Sequence, residues 1–401
     1  MKDSFQPAGD IEQTPLWEIC RRLVGFDTVP TSSNVPCAEY LADLLDDVGW
    51  STCLHRDRFL GADKASLVAW MGPEEEGGLL LSGHMDVVPF QSQPGWTRDA
   101  LVLGRDDDRI YGRGVADMKG FLAQCVVAAR TLDRAHLRRP LVFVFTCDEE
   151  VGCHGSGRLA PHLREITGNI PLPIEAVIGE PTDFRILIAH KGHVRFTVRV
   201  EGRGGHSSRP DLGTSAIAAA AEAIRELGEL EWDLLDRATP TGRTLFPDFP
   251  AVPLNLGTIQ GGTAINMIPE CCEFTVGMRP LPDDDPLVYI GEATQRMIDA
   301  VGRRHPQARL TVADVEITPA MLSPSDGRVV SALQKLMGGS VGGGASFATD
   351  GGQLAAIGIR SVICGPGELE QAHQPDESLP ILNLFRGLEL VEGLIQLTCF
   401  N

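Results

Sequence analysis

Six residues in this sequence have side chains that could hold a divalent metal ion or carry a proton. They are two histidines and four acids: His84, Asp117, Glu149, Glu150, Glu180 and His373. Imidazole and carboxylate ligands together suit zinc, with cobalt or manganese as alternatives. A carboxylate can bridge two ions about 3.5–4 Å apart, and such ions help water to ionise near neutral pH. The set therefore predicts a two-metal centre in which one of the adjacent acids is a ligand and the other carries the proton.

The local pattern predicts how these residues are positioned. The apolar run LLLSGHMD indicates a buried strand, and side-chain alternation puts His84 and Asp86 on the same side of the extended chain. Three later stretches deliver the other acids in a similar way: VADMKG with Asp117, LVFVFTCDEE with Glu149 and Glu150, and AVIGEP with Glu180. Ligands of open α/β sheets bind at the carboxyl ends of the strands, so these side chains are expected to meet there.

Each residue also has an ordinary structural interpretation. His84 would be a buried core histidine, Asp117 a helix N-cap, and the adjacent acids helix-start residues favoured by the dipole. Glu180 and His373 would be solvated loop residues. These interpretations do not explain why the residues fall at predicted strand ends or beside glycines, so the metal centre is favoured.

Composition narrows the class of protein. A length of 401 residues favours two domains, and a net charge of -19 argues against nucleic acid or an anionic membrane as partner. The ten cysteines include no C-x-x-C pair, which favours reduced thiols and a cytoplasmic location. No apolar segment is long enough to span a membrane, and residues 1–14 indicate a loose lead-in without a signal peptide. Dinucleotide, P-loop and serine-hydrolase motifs are absent from the sequence.

The pattern changes near residue 190. HKGHVRFTVRVEG alternates apolar and polar residues, as in a half-exposed antiparallel strand, and further strands and two helices follow. We therefore predict an α/β catalytic domain with a mixed, mostly parallel central sheet over residues 1–190 and 309–401. A smaller α+β domain over residues 191–308 is predicted to be inserted into it.

Five linked motifs make the sequence recognisable. SGHMDVVP, GRGVADMKGF, TCDEEVG, IGEPTD and HKGH…GGHSS together resemble the di-zinc amidohydrolase family of aminoacylases, acetylornithine deacetylases, succinyl-diaminopimelate desuccinylases and glutamate carboxypeptidases. The resemblance runs from about residue 15 to about residue 395 and is strongest to the acetylornithine deacetylases. It implies hydrolysis of N2-acetyl-L-ornithine to L-ornithine and acetate. Alternatives within the family are N-succinyl-diaminopimelate and other N-acyl amino acids or dipeptides.

The resemblance also implies a role for each residue of the metal centre. His84 and Glu180 would hold one zinc, Glu150 and His373 the other, and Asp117 would bridge them, with cobalt as an alternative metal. Glu149 would be the general base, and Asp86 would orient the His84 ring.

Further roles follow for the inserted domain, which is ferredoxin-like in this family and forms a homodimer. His206, in GGHSS, would stabilise the oxyanion in a partner subunit's site. Asn266 and Arg279 would contact the substrate carboxylate. The alternatives are a turn histidine for His206 and a surface charge at a strand end for Arg279.

One loop departs from the deacetylase pattern. SFATDGGQL has Asp350 followed by two glycines, where that pattern has a glutamate. Asp350 is expected either to meet a substrate ammonium or to cap the next helix. A function of another class, a non-catalytic binding protein on the same fold, would most simply have lost Glu149 or a metal ligand, and none of these residues is lost.

Overall fold

The structure is a computed structural model in which residues 10–400 are described. The predicted lead-in therefore lies largely outside the described residues, although Ile11–Gln13 forms a single turn of 3-10 helix. The chain divides into two compact units. The larger unit comprises residues 10–189, 321–342 and 349–400, and the smaller unit comprises residues 190–320 and 343–348.

The strands and helices are numbered in chain order. The strands are β1 (Ser51–Phe59), β2 (Ala62–Met71), β3 (Leu79–His84), β4 (Gly104–Arg105), β5 (Arg109–Tyr111), β6 (Leu141–Thr146), β7 (Glu175–Ile178), β8 (Ala189–His190), β9 (His193–Glu201), β10 (Gly205–His206), β11 (Leu254–Gly261), β12 (Met267–Ile268), β13 (Cys271–Met278), β14 (Arg309–Thr318), β15 (Met321–Leu322), β16 (Gly344–Ala345), β17 (Arg360–Ile363) and β18 (Ser378–Pro380). The α-helices are α1 (Pro15–Val24), α2 (Val35–Asp46), α3 (Gly120–Thr131), α4 (His154–Leu159), α5 (Leu163–Thr167), α6 (Ala216–Leu235), α7 (Pro240–Leu245), α8 (Pro286–Arg304), α9 (Arg328–Met337), α10 (Gly351–Ala356) and α11 (Ile381–Cys399).

A six-stranded mixed sheet forms the core of the larger unit. Its order is β1-β2-β6-β3-β7-β17, and the four strands from β6 to β17 are parallel, while β1 and β2 form an antiparallel hairpin at one edge. Every residue of β3, β6 and β7 is buried, as expected for parallel strands covered on both faces. This is the mixed, mostly parallel α/β sheet that the sequence predicted. The carboxyl ends of β3, β6 and β7 consequently lie side by side.

The smaller unit has an α+β fold. Its four-stranded antiparallel sheet has the order β11-β13-β9-β14, and helices α6 and α8 pack against each other and against this sheet. The alternation predicted for β9 is present, with Val194, Phe196, Val198 and Val200 all buried. Strand β14 pairs with β9, so the unit extends to residue 320 and the boundary predicted at residue 308 leaves this strand out.

Two chain-wide predictions can be compared with the described residues. None of the helices within residues 10–400 is long and apolar enough to cross a membrane. All ten cysteines are free, and all but Cys53 and Cys271 are buried. Burial in apolar surroundings raises the pKa of the Cys20 thiol to about 12, which makes it inert.

A buried histidine gives the smaller unit a predicted sensitivity to acid. His190 is fully buried, its Nδ1 lies 2.9 Å from the Lys191 carbonyl, and its Nε2 has no hydrogen-bond partner among the described residues. Burial lowers the pKa of His190 from 6.5 to about 4, so it is neutral in the folded state. Below pH 6.5 the histidine of the unfolded chain takes up a proton, while the buried ring stays neutral until the pH approaches 4. The free energy of unfolding is therefore unaffected above pH 6.5 and decreases as the pH falls from 6.5 toward 4.

We therefore expect the wild type to lose up to about 3 kcal/mol more unfolding free energy than His190→Asn on acidification. Denaturant titrations of both proteins at several pH values between about 7 and 4 measure this difference. Asparagine keeps a donor near the position of Nδ1 but does not titrate. Parallel pH curves for the two proteins would show that His190 is not responsible.

Candidate metal centre

Five of the predicted residues form two clusters that share one aspartate. The ligand atoms of His84, Asp117 and Glu180 lie within 4.8 Å of one another, and so do those of Asp117, Glu150 and His373. Asp117 presents one carboxylate oxygen to each cluster: Oδ1 lies 3.0 Å from His84 Nε2, and Oδ2 lies 3.3 Å from His373 Nε2. The described residues therefore place one shared carboxylate between two groups of candidate ligands.

Strand ends account for most of this convergence. His84 is the last residue of β3, Glu149 and Glu150 follow β6, and Glu180 follows β7. Because these strands are parallel neighbours, their carboxyl ends bring the side chains to one edge of the sheet. His373 comes from a loop near the end of the chain, and its backbone is left-handed with φ 64°.

Asp117 lies in an irregular turn that a buried glutamate holds in place. The turn, Val115–Lys119, precedes α3 and follows Gly114, whose φ of 82° favours glycine. Glu377 is 1% exposed, and its Oε1 accepts hydrogen bonds from the backbone amides of Ala116 (2.9 Å) and Asp117 (3.1 Å). Its Oε2 accepts from Gly114 N (2.9 Å) and Arg113 Nη1 (2.8 Å). One carboxylate thus fixes the backbone that carries the shared ligand.

The Asp86 side chain does not make the contact with the His84 ring that was predicted for it. The orienting contact to His84 Nδ1 comes from the Asp86 backbone carbonyl at 2.9 Å, while the carboxylate lies 3.8 Å from that nitrogen. The carboxylate accepts instead from the backbone amides of Glu149 (3.2 Å) and Glu150 (3.0 Å). Asp86 therefore connects the end of β3 to the turn after β6, which a sequence pattern within one strand cannot reveal.

A buried group of charges lies next to the same turn. Asp148 is fully buried, with Lys64 Nζ at 3.0 Å from Oδ1 and Arg158 Nη2 at 2.8 Å from Oδ2. The Lys64 and Arg158 side chains offset the free-energy cost of burying this carboxylate, which directly precedes Glu149 in the chain. Asp148 also has a left-handed backbone, with φ 56°, at the point where the chain turns out of β6.

The buried carboxylates of the centre repel one another and would be stabilised by positive ions. Burial, and then repulsion from Glu180, raises the pKa of Glu149 well above its ordinary value. Burial, and then repulsion from Asp117, does the same for Glu180. Glu180 Oε1 is buried and has no hydrogen-bond partner among the described residues, which is unusual for a carboxylate. A divalent cation would satisfy this oxygen and relieve the repulsion, so the residues present fit a metal pair.

Glu149 differs from its neighbours in belonging to neither cluster. Its Oε1 accepts a hydrogen bond from the Cys153 thiol at 3.4 Å. A carboxylate beside a metal centre, and not used as a ligand, can take a proton from water and release it again.

Three predicted residues lie in the smaller unit. His206 is exposed on β10, where it pairs with Met267 of β12, and the Ser207 amide donates to the Asn266 carbonyl at 3.1 Å. His206 and Asn266 are therefore close together. Arg279 follows β13, and its amide donates to the Pro253 carbonyl at 3.3 Å.

Asp350 has its carboxylate inside the larger unit. It is 1% exposed, and its two oxygens accept hydrogen bonds from Thr146 Oγ1 and Ser156 Oγ, each at 2.5 Å. It occupies the N-cap position of α10, but its side chain makes no capping hydrogen bond. A substrate ammonium would therefore have to reach the carboxylate in this buried position.

Sequence reasoning missed the residues that support the ligands. Arg113, Glu377, Asp148 and Lys64 are buried charges that contact backbone or one another, not the predicted metal positions. A weak signal existed for three of them: Arg113 stands between two glycines, Asp148 stands beside a predicted ligand, and Lys64 lies near the start of an apolar strand.

Comparisons with known proteins agree with the class that this site indicates, a metal-dependent hydrolase that acts on amide bonds. The chain belongs to the family described as Peptidase family M20/M25/M40, which it matches over residues 80–397. This confirms the family predicted from the motifs.

Two relatives and one solved structure are similar along nearly the whole chain. An acetylornithine deacetylase of Myxococcus xanthus is 35% identical over 369 residues, which cover 91% of this chain and 92% of that protein. Another, from Pectobacterium carotovorum subsp. carotovorum, is 38% identical over 342 residues, which cover 84% and 85%. An M20 family metallo-carboxypeptidase from Sulfolobus solfataricus has the same fold, with a TM-score of 0.77 at 18% identity, over 96% of this chain and 99% of that one.

Proposed function

We propose that this protein hydrolyses the amide bond of an N-acyl amino acid, with N2-acetyl-L-ornithine as the preferred substrate and L-ornithine and acetate as products. The observation that carries the reaction type is the pair of clusters that share Asp117, with Glu149 beside them as an acid in neither cluster. The acyl group and the amine are proposed from the two deacetylase relatives, which are 35% and 38% identical to this chain.

The proposed metal content is two zinc ions per subunit, with cobalt as an alternative. His84 and Glu180 would hold one ion and Glu150 and His373 the other, with one Asp117 oxygen directed to each. Ions held by these residues would supply Lewis acidity that polarises the amide carbonyl and makes water easier to deprotonate at neutral pH.

Glu149 is the proposed general base. It removes a proton from the water that attacks the carbonyl carbon, and it returns the proton to the amine nitrogen as the carbon–nitrogen bond breaks. The Asp86 carboxylate accepts hydrogen bonds from the backbone amides of Glu149 and Glu150. It therefore fixes the position of the proposed base relative to one proposed metal ligand.

His206 is the proposed donor to the oxyanion of the tetrahedral intermediate. The Ser208 amide donates to His206 Nδ1 at 3.2 Å, so in the neutral ring the proton is on Nε2. An Nε2–H group on an exposed side chain is free to donate to a developing negative charge. Asn266, next to His206, and Arg279 are the proposed contacts of the substrate carboxylate.

The proposed assembly is a homodimer made by the smaller unit, and His206 would act in the site of the other subunit. Strand β11 lies at the edge of its sheet with Leu256 and Ile259 exposed, and Ile265 is fully exposed beyond it. An unprotected apolar edge strand favours pairing with another chain. The ten free cysteines support a cytoplasmic location.

A mixed dimer tests the shared site. We expect His206→Ala and Glu149→Ala to be inactive alone and to regain up to about half of the wild-type activity per mixed dimer, because one of its two sites is complete. A dimer of Glu149→Ala with Glu150→Ala is the matched control, since both changes damage the same site and no complete site results. Lack of recovery in the first mixed dimer, once its composition is verified by mass, would contradict a shared site.

A substrate panel tests the reaction itself. The zinc-loaded and cobalt-loaded proteins are assayed with N-acetyl and N-succinyl amino acids, including N2-acetyl-L-ornithine and N-succinyl-diaminopimelate, and with dipeptides. We expect the highest kcat/KM for N2-acetyl-L-ornithine. A preference for a succinyl or dipeptide substrate would replace the proposed substrate within the family, and no hydrolysis of any amide would overturn the proposal.

A further inference from the structure

The two proposed metal positions differ in how firmly their ligands are held. His84, Asp117 and Glu180 are all buried, whereas the His373 side chain is 52% exposed. The backbone of His373 is also left-handed, a conformation that a non-glycine residue keeps only when its surroundings support it. The position made by Asp117, Glu150 and His373 therefore depends on whatever fixes the His373 loop.

Two side chains hold this part of the backbone: Arg113 Nη1 donates to the Gln374 carbonyl at 3.3 Å, and Gln93 contacts His373 itself. Gln93 Nε2 donates to the His373 carbonyl at 2.7 Å, although the two residues are 280 positions apart in the chain. Its Oε1 accepts from Trp96 Nε1 at 3.2 Å and from Arg113 Nη2. Both of these partners can only donate, so the orientation of the Gln93 amide is determined and its NH₂ group must face His373.

The network continues into the turn that carries the bridging ligand. Arg113 is 1% exposed, lies over the Trp96 ring, and is paired with Glu377, which holds the Asp117 backbone. Gln93 is the last member of this chain of contacts, and it is the member that touches the His373 carbonyl. It touches no ligand side chain in either cluster.

We propose that Gln93 is a positioning residue that sets the affinity of the half-exposed metal position, through the His373 carbonyl, and leaves the buried position unaffected. This inference rests on the proposed two-metal centre. Groups that orient a metal ligand from outside the coordination sphere are typically worth about 10–100-fold in metal affinity. Because Gln93 contacts only one of the two histidines, its loss should weaken zinc binding at one metal position and leave the other unchanged.

Gln93→Glu is the sharpest variant. Glutamate keeps an acceptor for Arg113 and Trp96 but has no donor for His373, and its second oxygen faces the His373 carbonyl. Gln93→Leu removes the donor without adding charge. Gln91→Glu is the matched control: it places the same charge in the same exposed loop, where Gln91 contacts Asp27 at 3.4 Å. These side chains are at least partly exposed, so the fold is expected to survive each change.

Zinc binding to the metal-free proteins, measured in competition with a chromophoric chelator, reads out both affinities without any assay of activity. We expect the wild type and Gln91→Glu each to bind two ions, one more tightly than the other. Each of these two affinities should be the same in the two proteins. Gln93→Glu and Gln93→Leu are expected to keep the tighter affinity and to lose about 10–100-fold in the weaker one.

The outcomes separate this inference from the function on which it rests. If the wild type binds fewer than two ions, the two-metal centre fails and the inference falls with it. If the wild type binds two ions and the Gln93 variants bind both equally well, only the role of Gln93 is overturned. An equal loss at both positions would also overturn it, since it would point to the shared Asp117 and not to His373.

Discussion

Glu149→Gln is expected to lower kcat by about 10²–10⁴-fold with little change in KM, because it removes the proton carrier and leaves the ligands in place. Glutamine has nearly the same shape but cannot accept the proton of the attacking water. Glu149 belongs to neither ligand cluster, so the variant should still bind two zinc ions. Steady-state kinetics together with metal analysis of the same sample measure both properties.

Glu150→Gln is the natural control, since the two acids are adjacent and only Glu150 lies in a cluster. We expect it to lose zinc affinity as well as activity. The proposed assignment would be reversed if Glu149→Gln lost metal and Glu150→Gln did not. Hydrolysis at the wild-type rate by a fully loaded Glu149→Ala protein would show that the mechanism is wrong.

The second large effect concerns stability. Glu377→Gln is expected to lower the unfolding free energy of the metal-free protein by about 3–5 kcal/mol, the usual cost of removing one partner from a buried ion pair. Arg113 and Glu377 are each 1% exposed, so water cannot replace the lost charge. The new NH₂ group would also face a donor, either Arg113 or a backbone amide of the turn.

Glu368→Gln provides a matched comparison, because Glu368 pairs with Arg109 at a partly exposed position nearby in the chain. Exposed pairs contribute about 0–1 kcal/mol, so this variant should be nearly as stable as the wild type. Denaturant unfolding without metal measures both. Zinc binding to Glu377→Gln should weaken at both positions, since the displaced turn carries Asp117. If Glu377→Gln and Glu368→Gln had equal unfolding free energies, the proposed importance of the buried ion pair would be contradicted.

The residues of the two clusters were accessible from the sequence because they depend on local patterns. The runs before His84, Glu149 and Glu180 are apolar, so they had to be buried strands, and parallel strands deliver their last residues to one edge. Asp117 and His373 entered the set by residue type, and the resemblance then gave each a role in it. The alternation of β9 likewise indicated a second, antiparallel unit. The boundary at residue 308 was misplaced because the pairing of β14 with β9 joins segments that are far apart in the chain.

The residues that support the ligands were decided only by the tertiary structure. Asp86 was expected to orient a ring two residues away, but its carboxylate holds backbone amides more than sixty residues later. Asp350 was expected at a substrate or a helix end, and its carboxylate accepts from Thr146 and Ser156.

What the sequence determined by itself is the set of candidate ligands and the sheet that presents them, because side-chain chemistry and strand burial are local properties. What only the tertiary structure decided is how the ligands are held. Glu377 and Gln93 contact the Asp117 turn and the His373 carbonyl from more than 250 residues away. Hydrogen bonds to backbone groups leave no periodicity in the sequence, so such contacts become visible only when the chain is folded.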